Sequence, residues 1–225
     1  MKDIIAKLRG SHVRIAPEIH CNSVFLGKNS GGKTICPDNL NDSSVIYSFG
    51  VGEDITFDLS MIEKYGVEVF AFDPTPRSEE YIEKLDLPEK FHFFNYGIYN
   101  CDASIPLHPP KSPKRVDLSV IAKTRKSKPL NLPMKRLRTI VDELGHNSID
   151  ILKMNIEASE YEVIPDIADF IRDGFQIKQI IIEFHHWFKG LKFNDTINMI
   201  SILNELGYKI FNNRWDQEFS FIKGN

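Results

Sequence analysis

From Val45 onward the sequence alternates short apolar runs with stretches of helical periodicity, and that rhythm restricts the chain to a mostly parallel sheet covered on both faces. Val45–Phe49 reads as the first strand. Gly50-Val51-Gly52 follows it, then a helix whose apolar side uses Ile55, Leu59, Ile62 and Tyr65 and which ends at Gly66. Further strands are expected at Val67–Phe72, Phe91–Asn95, Ile149–Met154 and Lys178–Phe184, with helices over Arg77–Leu85, Met134–Leu144 and about Thr196–Leu206. A helical stretch beginning near Ala158 meets Pro165, which should kink it or start a second helix. Tyr208–Phe211 and Glu218–Ile222 are too close in sequence for a crossover helix between them, so they are expected to form an antiparallel hairpin. The fold class is therefore α/β, a doubly wound sheet with an antiparallel C-terminal hairpin.

At 225 residues the chain is large enough for one sizeable core without disulfides. Residues 1–44, rich in glycine, asparagine and serine, read as an N-terminal cap segment, and residues 45–225 as the main domain. Cys21, Cys36 and Cys101 are odd in number and include no C-x-x-C pair, which argues against a disulfide framework and against a zinc site; no metal ligand set is expected. No apolar run reaches the roughly 18 to 20 residues needed to span a bilayer, and residues 1–7 lack the apolar core of an export signal, so a cytoplasmic location is expected. The net charge of −3 gives the whole molecule no reason to seek nucleic acid or an anionic membrane. Charge is concentrated locally, because ten lysines and arginines stand against Asp117 alone between Lys111 and Arg138. With its prolines, that segment reads as an extended loop over the ligand-binding edge, either solvated or receiving an acidic acceptor through Lys123, Arg125, Lys126 and Lys128.

In an open α/β sheet the ligand sits beyond the carboxyl ends of the strands, where strand order reverses. After the first strand, Gly50, Val51 and Gly52 let the backbone approach a ligand closely, and Glu53 and Asp54 open a helix whose amides could hold a carboxylate. After the second, Asp73 is spaced to hydrogen-bond ribose hydroxyls. A dinucleotide fingerprint would want Gly or Ala where the chain has Ile55, which disfavours a dehydrogenase. Asn155 and Glu157 at the end of the fourth strand, and Glu183, His185 and His186 at the end of the fifth, converge on the same edge. His185 shares a side with Glu183 if the strand continues that far. These residues suit an in-line group transfer, with His185 as base, Glu183 as its orienter or a metal ligand, and Glu157 beside them.

The chain resembles the FkbM-type methyltransferases, in the branch similar to the methyltransferase-like 24 proteins of animals. The resemblance runs from Gly31 to the C-terminus. It is carried by Gly31-Gly32-Lys33-Thr34, by Val45 to Asp58 around Phe49-Gly50-Val51-Gly52-Glu53-Asp54, by Val69 to Pro76, by Ile149 to Glu157 and by Ile182-Glu183-Phe184-His185. It implies a Rossmann-like class I methyltransferase fold and S-adenosylmethionine as cofactor. Gly50, Val51, Gly52, Asp54, Asp73 and Asn155 would then hold the cofactor, and the acceptor would be a hydroxyl on a sugar or small natural product. Relatives usually carry Asp-x-Glu-Gly where this chain has Asn155-Ile156-Glu157-Ala158, and an amide can neither take a proton nor bring negative charge. That departure motivates an alternative, a non-catalytic cofactor-binding module.

A second alternative lies in the cap, where Gly27-Lys28-Asn29-Ser30-Gly31-Gly32-Lys33-Thr34 matches the G-x-x-x-x-G-K-[ST] phosphate loop. A phosphate loop must run into a helix, and here Ile35-Cys36-Pro37-Asp38-Asn39 follows, which disfavours nucleotide binding.

Overall fold

The computed structural model describes residues 15–28, 31–110, 117–122 and 128–224. In chain order its elements are β1 (Val24–Leu26), β2 (Lys33–Ile35), β3 (Val45–Phe49), α1 (Thr56–Tyr65), β4 (Glu68–Phe72), α2 (Pro76–Ile82), β5 (Phe91–Phe94), β6 (Gly97–Ile98), β7 (Ala103–Leu107), β8 (Leu130–Lys135), α3 (Leu137–Leu144), β9 (Ser148–Met154), α4 (Glu160–Arg172), β10 (Gln176–Glu183), α5 (Phe193–Glu205), β11 (Tyr208–Arg214) and β12 (Glu218–Lys223). A seven-stranded sheet runs in the order β11-β12-β10-β9-β3-β4-β5. β10, β9, β3, β4 and β5 are mutually parallel, and β12 is antiparallel to both β10 and β11. The expected α/β sheet with its C-terminal hairpin is what forms. No helix among the described residues is long and apolar enough to cross a membrane.

Strand alternation divides the core in two. Tyr47, Phe49, Leu152 and Met154 face α3, α4 and α5, where Leu137, Ile140, Val163, Ile167, Ile200 and Leu203 meet them. Ile46, Ile151 and Ile181 face the other way, onto Phe57 and Met61 of α1, Ile82 of α2, and Leu26 and Ile35 of the β1–β2 hairpin. On the first face Phe49 stacks on Phe72 with ring centroids 4.5 Å apart, a contact worth about 0.5–1.5 kcal/mol beyond area burial. Gly66 and Gly145 close α1 and α3 in the left-handed conformation, as their positions after the last apolar residues predict.

Two local expectations are corrected. Met134 is not the start of a helix but part of β8, which pairs with β6 and β7 in a separate three-stranded sheet. Arg136 is extended, so α3 begins only at Leu137. Pro165 neither kinks α4 into two elements nor begins a new one, because α4 runs through it from Glu160 to Arg172 with Val163, Ile164, Ile167 and Ala168 anchored in the core. Tertiary packing outweighs the single backbone hydrogen bond that proline removes.

The cap segment is sewn to the main sheet. The Gln179 side chain accepts from Cys36 N at 2.9 Å and donates to Cys36 O at 2.6 Å, and Ser220 Oγ donates to Thr34 O at 2.9 Å. The end of the phosphate-loop-like run enters β2, which pairs with β1, rather than a helix, and Lys33 lies there with its amine on Glu218 Oε2 at 2.6 Å.

Candidate active site

The chain order reverses between β3 and β9. From β3 the sheet grows outward through β4 and β5, and the chain then returns to the other side of β3 through β9 and β10. Beyond the carboxyl ends of these strands lies a cavity of about 500 Å³. Its wall is Gly50–Asp54 after β3, Asp73–Thr75 after β4, Asn155–Glu157 after β9 and Glu183 at the end of β10, together with Gly31 and Lys33 of the cap and Leu107 and Met134 of the small sheet.

Backbone geometry at the reversal demands glycine. Gly50 has φ +72°, and a Cβ there would lie 1.8 Å from the Asn155 carbonyl oxygen, so β3 and β9 part at van der Waals contact. Asp73 fastens the loop: Oδ2 accepts from Gly52 N at 2.9 Å, while Oδ1 accepts from Thr75 N at 2.9 Å and Thr75 Oγ at 2.6 Å. Asp54 Oδ1 accepts from Thr56 N and Oγ at the start of α1. Asn155 Oδ1 is buried beside the cavity without a hydrogen-bond partner, an atom that a ligand donor would satisfy. All six residues expected to hold a cofactor, Gly50, Val51, Gly52, Asp54, Asp73 and Asn155, line this one cavity.

The residues expected to act on the acceptor separate. Glu157 and Glu183 line the cavity, but His185 does not. It is 2% exposed, with Nδ1 3.0 Å from Glu160 Oε1 and Nε2 3.4 Å from Glu157 Oε1, and its backbone N–H also donates to Glu160 at 2.7 Å. Burial opposes charging the ring, yet the Glu160 charge and the hydrogen bonds that the ring donates to Glu157 and Glu160 outweigh it and lift the imidazole to about 10. An imidazolium already carrying its proton cannot accept another at neutral pH, so the base role assigned to His185 is withdrawn. The expected pairing with Glu183 fails because β10 ends at Glu183, and strand alternation does not extend two residues further. His186 lies outside the cavity wall, 3.4 Å from Thr196 Oγ1 and edge-on to Phe193.

Three residues not singled out from sequence as site residues complete the wall. Lys33 bridges Glu183 and Glu218, which are directly opposed on β10 and β12. Lys153, on β9, donates to Phe49 O at 3.1 Å and Gly50 O at 2.8 Å. Asp58, on α1, is 1% exposed with Oδ1 unpartnered. A lysine inside an apolar strand run and an aspartate two residues after a helix start were the available signals. Of the basic segment, Lys111, Lys114, Arg115, Lys123, Arg125 and Lys126 lie outside the described residues. Lys135, Arg136 and Arg138 pair with Glu143, Asp166 and Asp173, which is a structural use of those charges.

The description "Methyltransferase FkbM domain" matches residues 41–210. The chain belongs to the FkbM methyltransferase family. Two relatives named probable methyltransferase-like protein 24 are similar to this FkbM chain. The human protein is 29% identical over 179 residues, covering 76% of the chain and 42% of the relative. The rat protein is 30% identical over 174 residues, covering 74% and 41%. The chain thus spans less than half the length of these curated relatives. Among solved structures, the fibrillarin pre-rRNA processing protein of Methanococcus jannaschii superimposes with a TM-score of 0.48 at 11% identity, over 82% of this chain and 68% of that one. The FkbM match spans the switch-point strands and every cavity residue except Gly31 and Lys33, so the cap contributes to the site from outside the matched region.

Proposed function

We propose that this chain binds S-adenosylmethionine in the switch-point cavity and transfers its methyl group to a hydroxyl of a small acceptor, a sugar or natural product. The cavity carries the reading, because its glycine loop, its Asp73 latch and the orphaned Asn155 oxygen converge where a doubly wound sheet binds its ligand. Its volume of about 500 Å³ is in the range of small-molecule sites. Among the described lining residues seven are aspartate or glutamate and two are lysine, a balance that favours a cationic ligand. The cofactor, when bound, supplies an electrophilic methyl group on a positively charged sulfur.

The chain's own contribution is alignment and proton management. Asp73, which holds Gly52 in place, would accept from the ribose hydroxyls, and Asn155 Oδ1 would accept a donor from the ligand. Glu157 and Glu183 present carboxylates to the acceptor hydroxyl, and one of them would take its proton as the oxygen gains the methyl group. The His185 imidazolium, held between Glu160 and Glu157, fixes the Glu157 carboxylate. This acidic wall favours a neutral, hydroxyl-rich acceptor over an anionic one.

Calorimetry with S-adenosylhomocysteine tests the cofactor. Asp73→Ala is expected to weaken binding by about 1.5–3 kcal/mol, the scale of hydrogen bonds to a charged group. No heat with the wild-type protein at millimolar ligand would end the reading. Turnover is then followed as S-adenosylhomocysteine release across a panel of glycosides and hydroxylated small molecules.

A further inference from the structure

The cavity has two buried charges on one wall for which the ribose and methyl contacts give no use. Alternation along β9 puts Lys153 on the face of Ile151, under α1, and α1 supplies Asp58 to the same wall. Lys153 spends two N–H bonds on the carbonyls of Phe49 and Gly50 and forms no ion pair among the described residues. A lysine ammonium has three donors, so one remains. Asp58 keeps an unpartnered oxygen although the residue is almost fully buried. The other cation in the wall, Lys33, is already matched by Glu218 and Glu183.

We propose that Lys153 and Asp58 form a zwitterion subsite in which Lys153 holds the α-carboxylate and Asp58 the α-ammonium of an amino-acid ligand end, the methionine portion of the cofactor. The inference rests on the cofactor reading above. One donor without an acceptor and one acceptor without a donor, on adjacent elements of one wall, match a ligand that carries both charges on a single carbon. Burial lowers Lys153 to about 8, only partly offset by Asp58, and burial raises Asp58 against the pull of Lys153. Each group is therefore held at a desolvation cost that a bound opposite charge relieves. Position supports the assignment, since the Lys153 amine sits on the carbonyl of Gly50, at the start of the glycine loop whose backbone can approach a ligand closely.

Calorimetry with two probes tests it: S-adenosylhomocysteine, and 5′-methylthioadenosine, which keeps the nucleoside and thioether but lacks the amino-acid end. The wild-type protein is expected to bind S-adenosylhomocysteine at least tenfold more tightly. Lys153→Met and Asp58→Asn should each erase most of that preference and leave 5′-methylthioadenosine affinity within about twofold. Because Lys153→Met also releases two backbone carbonyls, a ligand-side arm needs no variant: removing the carboxylate from S-adenosylhomocysteine should cost the wild-type protein at least tenfold. Equal wild-type affinity for both probes would overturn the subsite and leave the cofactor reading standing. Parallel loss of both probes in both variants would assign the pair to loop architecture and overturn it too. If neither probe binds the wild-type protein, the cofactor reading falls and the subsite with it.

Discussion

Gly50 and Gly145 form a matched pair for testing how closely β3 and β9 approach. Their φ angles are +72° and +71°, so alanine carries the same backbone penalty at both, but a Cβ at Gly145 meets nothing within 4 Å while one at Gly50 lies 1.8 Å from Asn155 O. A left-handed alanine costs about 1–2 kcal/mol, offset by about 0.4–1 kcal/mol from the stiffer unfolded chain, so Gly145→Ala should lose about 1 kcal/mol. At Gly50 the carbonyl must also retreat by about 1 Å, and the bonds Asn155 N–Phe49 O and Lys153 Nζ–Gly50 O go with it. Added to the same backbone term of about 1 kcal/mol, two hydrogen bonds near 1 kcal/mol each and an overpacking term of about 1–3 kcal/mol bring Gly50→Ala to about 4–6 kcal/mol. Differential scanning fluorimetry should record a fall of about 3 °C for Gly145→Ala and about 12–18 °C for Gly50→Ala, at roughly 2–4 °C per kcal/mol for a chain of this size. Binding of S-adenosylhomocysteine should survive the first and vanish in the second. Equal melting temperatures would refute the argument that strand separation at the switch point, rather than φ alone, requires glycine.

His185 gives a pH prediction. Its folded value near 10 lies above the roughly 6.5 of an unfolded histidine, so its contribution is complete below about 6.5 and is lost as pH rises through 10. The melting-temperature gap between wild type and His185→Gln should shrink steadily from pH 6 to pH 10, and a constant gap would show that the ring is neutral. At neutral pH that variant leaves Glu157 and Glu160 facing each other and should cost about 3 kcal/mol in urea titrations. Lys33→Met strips the shared cation from Glu183 and Glu218, with a similar expected loss, and Lys33→Met/Glu218→Gln should recover part of it. Magnesium ATP should give no calorimetric heat, because the phosphate-loop-like run is a hairpin; micromolar binding abolished by Lys33→Ala would reverse that reading.

Much of the fold was legible because its signals are local. Val45–Phe49 is bounded in the structure as the apolar run predicts, and Gly66 and Gly145 stop their helices where the periodicity ends. Misreadings arose where tertiary contacts decide. Met134 fits a helical face as well as a strand until β6 and β7 pair with it, and Pro165 is overridden by the apolar residues on either side of it. The switch-point cavity wall was legible because each strand end contributes residues next to one another in sequence. The acceptor side was not, since the fate of His185 depends on Glu160, 25 positions away, and on β10 ending at Glu183. Lys153 looked like an interruption in an apolar run, and only the carbonyls of Phe49 and Gly50 show what its charge does.

The salt bridge between Lys33 and Glu218 joins positions 185 apart. During synthesis, β2 leaves the ribosome long before β12 exists, and for most of that interval the lysine has neither carboxylate partner. Closing so long a loop is entropically slow, so this ion pair forms late, after the cap hairpin has met α1 through Lys28 and Thr56. A nascent chain would thus have the glycine loop and Asp73 in place before Lys33 is clamped in the pocket wall, and that clamp closes only when β12 brings Glu218 opposite Glu183.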